Sequence, residues 1–404
     1  MTTCLFNKSE VNQMATVQKR GDSYRIIVSC GYDSHGKQIR RSTTWTPSPG
    51  MTKKQAEKEL ERAKVLFEEQ CKNGASGGNI KFEAFAKQWF QEYAEHTLRP
   101  KTIERYKQFE ERTYQAIGHL RLDKITPRQI QAFIHSLEAD GLNQRTGGKL
   151  SPKTIKNNLS FISSIMDYAV SMFMIDSNPC RNVSLPSAKP IERDCYTLEE
   201  AQHFLELLEA EPLQWRTFFT LAIFSGFRRS ELLGLEWKDI DFKSGVVSIR
   251  RTSQYIKERG IYTDATKTKG SQRSLKLPAS VIDLLRQHKI EQSKERLKLG
   301  DQWVNTDRLF VAWNGYPLNP NTPLNWLNRF FKRTGMRRVN IHSFRHLNAS
   351  LLITNGVDPR TVSASLGHSQ TSTTLNIYAH TFAVAQAQAS EAIANALNFN
   401  QKKA

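Results

Sequence analysis

At 404 residues the chain is too long for one ordinary hydrophobic core, so two or three domains are expected. Its 58 Lys and Arg against 39 Asp and Glu give a formal net charge of +19, a field that attracts polyanions, of which nucleic acid is the commonest that a basic protein meets. No apolar run approaches the ~20 residues of a membrane span, the opening residues lack the apolar stretch of a secretory signal, and the scattered Cys4, Cys30, Cys71, Cys180 and Cys195 lack metal-type spacing, so the expectation is a soluble cytoplasmic protein with reduced thiols.

Residues from about Val17 to Trp45 alternate as strands do, with Tyr24, Ile26 and Val28 on one face and Arg25, Ile27 and Ser29 on the other. The stretch Gly31 to Gly36 is rich in turn formers, and Lys37 to Trp45 reads as a returning strand. Thr52 then caps a periodic helix from Lys53 to about Cys71, whose Ala56, Leu60, Ala63 and Phe67 share one side. A small three-stranded sheet backed by one helix is therefore predicted for residues 1–72. Its strands are basic, carrying Lys19, Arg20, Arg25, Lys37, Arg40 and Arg41. Asn73 to Gly78 has the composition of a flexible linker.

A helical domain is predicted for residues 79–183. Phe82, Phe85, Trp89, Phe90 and Tyr93 recur at helical spacing, which makes a core stripe rather than a base-stacking platform. Helices from Thr102 to Ile117, Thr126 to Asp140 and Ser151 to Ser171 follow, each announced by a cap or a first-turn Pro. Arg128, Lys153 and Lys156 fall near helix N-termini, where dipole and charge both favour phosphate. Pro179 and the run Leu185 to Pro190 break the pattern before a third domain, residues 191–404. That domain opens on the capping pair Thr197 and Glu200 and is mainly helical. Val246 to Arg251, Ile261 to Ala265 and Arg273 to Leu277 read as a small antiparallel sheet with a basic turn. The fold class is thus α+β and multidomain.

The third domain also holds four separated polar clusters: Ser225-Gly226-Phe227-Arg228, His342-Ser343-Phe344-Arg345, Leu366-Gly367-His368 and Asn376-Ile377-Tyr378. Arg228 and Arg345 together can clamp the non-bridging oxygens of one phosphodiester, because each planar guanidinium offers parallel charge-assisted hydrogen bonds. On a helix, His342 and Arg345 share a face. His342 and His346, four residues apart, also have the spacing of paired zinc ligands, but the Glu that zinc hydrolases place between them is missing. Glu231, three residues after Arg228, reads as an orienting partner rather than a base.

The order and spacing of these clusters resemble the tyrosine recombinases, the integrase family of phages and mobile elements. The resemblance is strong from about Thr197 to His380 and one of layout before that. It implies a site-specific DNA recombinase of a bacterial, nucleoid-associated kind, in which Tyr378 attacks a DNA phosphodiester to leave a 3′-phosphotyrosyl link and a free 5′ hydroxyl. Arg228 and Arg345 would stabilise charge on phosphorus, His342 would serve as general base, and His368 would support the phosphate or the nucleophile. The Lys-Thr-x-x-Ser-x-Arg pattern sets Lys267 as the acid for the leaving oxygen, with Lys269 the other choice or a phosphate contact. Because the bond energy stays in the phosphotyrosine, the resemblance implies neither ATP nor metal, so no cofactor is expected.

The resemblance also casts the first domain as a binder of arm DNA through Arg25, Lys37, Arg40 and Arg41. The second would bind core DNA through Arg128, Lys153 and Lys156, and Lys269 and Arg273 would add contacts from the catalytic domain. Expected partners are double-stranded attachment-site DNA, copies of the same chain in a tetramer on paired sites, and an excisionase or DNA-bending protein. The tail from Phe382 to Asn400 carries a weak apolar stripe (Phe382, Ala385, Ala389, Ile393, Leu397), which docks either on its own domain or on a neighbour. Two other readings share the scaffold: a type IB topoisomerase, against which the N-terminal β-domain counts, and a catalytically idle DNA-binding regulator, against which the intact nucleophile and arginine pair count.

Overall fold

The computed structural model describes residues 15–32, 38–48, 50–72, 80–144, 146–187, 195–265, 272–367, 370–378 and, in the tail, 390, 393, 394 and 397. The chain divides into two compact units, Met1–Lys189 and Pro190–Ala404. No helix among the described residues is long and apolar enough to cross a membrane.

In the first unit, strands β1 (Thr16–Arg20), β2 (Ser23–Tyr32) and β3 (Gln38–Trp45) pair antiparallel in the order β1-β2-β3. Ile26 and Val28 are fully buried, packing with Phe67, Leu60 and Ala63 of the helix Lys53–Lys72, as the alternation predicts. Thr52 and Gln55 exchange side-chain and backbone hydrogen bonds at the start of that helix, which satisfies amides that have no intrahelical partner. Register separates the arginines. Val28 pairs with Arg41 and Ser29 with Arg40, and directly opposed residues share a face, so Arg41 turns to the helix side while Arg40 stays exposed.

A second core in this unit gathers the aromatic stripe: Phe82, Phe85, Trp89 and Phe90 are all buried. Its first helix is not uniform. Phe82–Trp89 is α-helical and Phe90–Ala94 is a π-turn, whose wider spacing lets the consecutive Trp89 and Phe90 both reach Phe161. A second π-turn, Tyr114–Gly118, ends the helix Pro100–Thr113, which starts two residues earlier than expected because Pro100 itself takes the first turn. The helix Pro127–Ser136 opens on a full capping box between Thr126 and Gln129 and stops short of the expected Asp140. Pro152–Ser171 is capped by Ser151. The loop after it meets the N-terminal layer: Phe173 packs edge-on against Phe67 at 5.4 Å, and Asp176 forms an ion pair with Arg41.

The second unit is built on an aromatic core of Phe204, Phe219, Phe330 and Phe344 with Trp326, around the helix Leu213–Ser225, which is mostly buried from Thr217 onward. The single sheet expected here is two ribbons. β4 (Ile240–Asp241), β5 (Val246–Ile249) and β8 (Arg273–Lys276) form one, and β6 (Arg251–Ile256) pairs with β7 (Gly260–Ala265) in the other. The predicted strand through Arg251 breaks at Arg250. There the Arg251 guanidinium is drawn to Glu236 and Asp239, a buried charge pairing that alternation alone does not reveal.

Candidate active site

Three loops and two helix ends converge on one cluster of charge. Helix Leu213–Ser225 stops at Gly226, whose φ of 61° is left-handed. A Cβ there would stand 2.6 Å from Asn348 Oδ1 and 3.0 Å from Leu366 Cδ2, so both the backbone and the packing require glycine. Arg228 follows, capping the short helix Arg229–Leu232. Its backbone N–H and its Nη1 both donate to the Glu231 carboxylate, at 2.8 and 2.7 Å, and its Nη2 donates to the Gly367 carbonyl at 3.1 Å. The side chain remains 36% exposed, so a phosphate can reach it.

Glu231 is 2% exposed and sits between two guanidiniums. Burial pushes its carboxyl pKa up, but the hydrogen bond and charge of Arg273, with the charge of Arg228, outweigh burial and leave it below the ordinary value. Arg273 donates to both Glu231 oxygens and, through Nε, to the Ser365 carbonyl at 2.6 Å, with its guanidinium over the Phe227 ring. It was expected as a DNA contact, yet it is 7% exposed and built into the scaffold under Arg228. The physical reason is that a carboxylate buried this deeply stays charged only if its oxygens are paired, and Arg273 donates to both of them.

Arg345 lies on the helix Ile341–Thr354, started by an Asn340 cap, and is 2% exposed. Its two Nη groups donate to the Gly226 and Leu366 carbonyls at 2.8 and 2.5 Å. Burial, then the positive charge of Arg228, lowers its pKa to about 9, with Glu231 opposing and Arg273 adding to the depression. An excess of buried positive charge of this kind is what an anion would relieve. The Leu366 and Gly367 carbonyls come from the end of the helix Pro359–Leu366, capped by Asp358, where Gly367 takes a φ of 64°.

Tyr378 closes the helix Thr371–Ile377 and is 5% exposed, packed with Ala349, Ile353, Val362 and Leu366. An ionised Tyr378 would favour the charged form of Arg345, so the phenol lies within electrostatic reach of that guanidinium. Its hydroxyl is 2.6 Å from Nδ1 of His346, a residue singled out in the sequence only as half of a rival zinc pair. The helical i, i+4 spacing was the one available signal. His342, one turn earlier, is exposed, with its ring perpendicular to that of His346 at 4.8 Å.

Lys267, Lys269, His368 and Lys37 lie outside the described residues, as do the linker Asn73 to Gly78 and the tail positions Phe382, Ala385 and Ala389. Ile393 and Leu397 are exposed and share one helical backbone hydrogen bond. Arg128, Lys153 and Lys156 are all exposed near the starts of their helices. On the sheet, Arg25 reaches Ser42 and Arg40 reaches Gln38, while Arg41 is held by Asp176. Arg229 is half-buried, its side chain makes no hydrogen bond or ion pair among the described residues, and its pKa is lowered by that burial.

The sequence matches the phage integrase family over residues 196–384 and the N-terminal SAM-like domain of phage integrases over residues 81–138. It is 30% identical over 390 residues to a tyrosine recombinase XerC-like protein of Caldanaerobacter subterraneus, covering 90% of this chain and 94% of that one. It is 28% identical over 261 residues to the ICEBs1 integrase of Bacillus subtilis, covering 65% of this chain and 68% of that one. The structure resembles that of the Tn1549 transposon integrase in complex with transposon right end DNA, with a TM-score of 0.63 and 19% identity, covering 77% of this chain and 99% of that one, a likeness of fold. With a relative 30% identical and matched along nearly its whole length, and the integrase family model matched over residues 196–384, the chain belongs to the tyrosine recombinases, enzymes that break and rejoin DNA strands.

Proposed function

We propose that this recombinase integrates and excises a mobile element, cutting attachment-site DNA through a 3′-phosphotyrosyl intermediate formed on Tyr378. Its main support is the placement of a buried tyrosyl oxygen in the same charge cluster as Arg345 and Arg228, whose guanidinium planes are set by the Gly226, Leu366 and Gly367 carbonyls. Charge on the pentavalent phosphorus meets donors that are already oriented, so little reorganisation is needed as it develops. Tyr378 Oη bonds to phosphorus as the bond to the 5′ oxygen breaks, and that oxygen takes a proton from Lys267. His342 and His368 complete the set that the family resemblance implies. The reverse step needs only a different strand's 5′ hydroxyl, so each bond broken is matched by one formed.

The acid is testable by itself. Lys267→Ala should lose cleavage of ordinary DNA by about 100-fold or more and regain it on a substrate with a 5′-bridging sulfur, a leaving group that needs no proton. If Lys269→Ala shows that rescue instead, the acid is two residues further along the hairpin.

The integrase relatives and the DNA-bound Tn1549 integrase support double-stranded DNA as the partner. In the proposed arrangement the exposed face of β2 and β3, with Arg25 and Arg40, serves arm sites, and Arg128, Lys153 and Lys156 serve the core site. Four copies assemble on paired sites, with an excisionase or bending protein setting direction. Deleting residues 1–72 should therefore erase the footprint on separate arm sites while leaving core-site binding within about threefold, since backbone contacts that position one module add to affinity separately from those of another. Identical footprints from full-length and shortened protein would remove the arm-binding role.

A further inference from the structure

Resting on Tyr378 as the nucleophile, we propose that His346 is a catalytic residue, the group that takes the tyrosyl proton as the phosphotyrosine forms. A free phenol has a pKa near ~10 and is a poor nucleophile at neutral pH, so a proton acceptor in contact with it changes the rate of attack directly. His346 Nδ1 stands 2.6 Å from Tyr378 Oη, within the reach required of a general base. In the neutral tautomer with the proton on Nε2, Nδ1 is the acceptor and the phenol donates to it.

The surroundings sharpen the assignment. His346 is 9% exposed and Tyr378 5%, and Ala349, Ile353, Val362 and Leu366 pack around the phenol, so bulk water is a poor competitor for the proton. Both rings are set by rigid backbone. His346 lies inside the helix Ile341–Thr354 directly after Arg345, and the Tyr378 amide closes its helix on the Thr374 carbonyl at 3.0 Å. One helix thus presents a guanidinium to the phosphate and an imidazole to the nucleophile. The step balances: the Oη–P bond forms, the P–O5′ bond breaks, the phenolic proton passes to His346 Nδ1, and the 5′ oxygen receives its proton from the acid. In the reverse step His346 returns its proton to the departing tyrosyl oxygen. His342, exposed and 4.8 Å from the His346 ring, lies on the solvent side of this pair, so the role of base that the family resemblance gave to His342 passes to His346.

The test is single-turnover covalent capture on a nicked duplex, run on full-length protein with Tyr378→Phe, His346→Ala, His346→Gln and His342→Ala. His346→Ala should bind one half-site normally, form the adduct about 100-fold more slowly, gain nothing from a 5′-bridging sulfur, and recover at least about tenfold with imidazole in the buffer. If the Ala variant no longer binds the half-site, His346→Gln carries the comparison, since Gln keeps a hydrogen-bond acceptor but is no base, and it should show the same slow, sulfur-insensitive capture. Capture within about threefold of the unaltered enzyme would overturn the proposal. So would relief by the 5′ sulfur, which would move His346 to the leaving group, or imidazole rescue of His342→Ala in place of His346→Ala. An adduct formed by Tyr378→Phe would instead sink the nucleophile assignment, a failure distinct from that of His346.

Discussion

Replacing Tyr378 with Phe is expected to abolish covalent capture, a loss on the order of 10⁴-fold or more, while half-site DNA binding persists. Only the attacking oxygen is removed. The ring still fills the pocket formed by Ala349, Ile353, Val362 and Leu366, so no cavity opens and the helix Thr371–Ile377 keeps its seat. The measurement is a denaturing gel after incubation with a nicked duplex, with the half-site gel shift as the control for folding. A persistent adduct in the variant would place the nucleophile elsewhere. In the unaltered enzyme, the adducted peptide should map to Tyr378.

The second large effect is expected at Glu231, which no reaction step uses. Glu231→Gln keeps the shape but removes the charge that holds Arg228 and Arg273, leaving two guanidiniums facing each other in a mostly buried site. Breaking one side of a buried pair costs about 3 kcal/mol or more, so the urea midpoint of unfolding should fall markedly. Capture should fall as well, because Arg228 loses the partner that orients it. The same carboxylate sets a pH dependence. Its folded pKa lies below the ordinary value of 4.5, so its contribution is complete above that value and is lost as pH falls through the depressed one. The variant's stability should therefore be flatter with pH than that of the parent in this acid range. A change of under about 1 kcal/mol would show that Arg228 is oriented by the Gly367 carbonyl alone.

Much of the architecture is local and was legible for that reason. Caps at Thr52, Thr126, Ser151 and Thr197 each join a side-chain oxygen to the amide three residues on, so a short window of sequence contains the whole interaction. The buried stripe Phe82 to Phe90 and the alternation of Ile26 and Val28 are likewise periodic signals that burial alone decides. The spacing of Arg228, Arg345 and Tyr378 was enough to identify the family, because their order along the chain is part of the motif. Elements without a periodic mark were missed. The π-turns at Phe90–Ala94 and Tyr114–Gly118 are one-residue adjustments to distant packing, and the break at Arg250 answers ion pairs with Glu236 and Asp239.

By itself, then, the sequence determined the family and the starts of many helices, since motif order and helix caps are written along the chain itself. Only the tertiary structure decided what each site residue touches. Arg41 and Arg273 look like their exposed basic neighbours in the sequence, but strand register turns the first to Asp176 and a buried carboxylate captures the second. His346 entered the sequence reading only through a zinc spacing that the missing Glu argued against, and it was the fold that brought a helix end 32 positions away to within 2.6 Å of its ring. Contacts between residues so far apart in the chain depend on how the helices pack, and no local pattern of side chains encodes that.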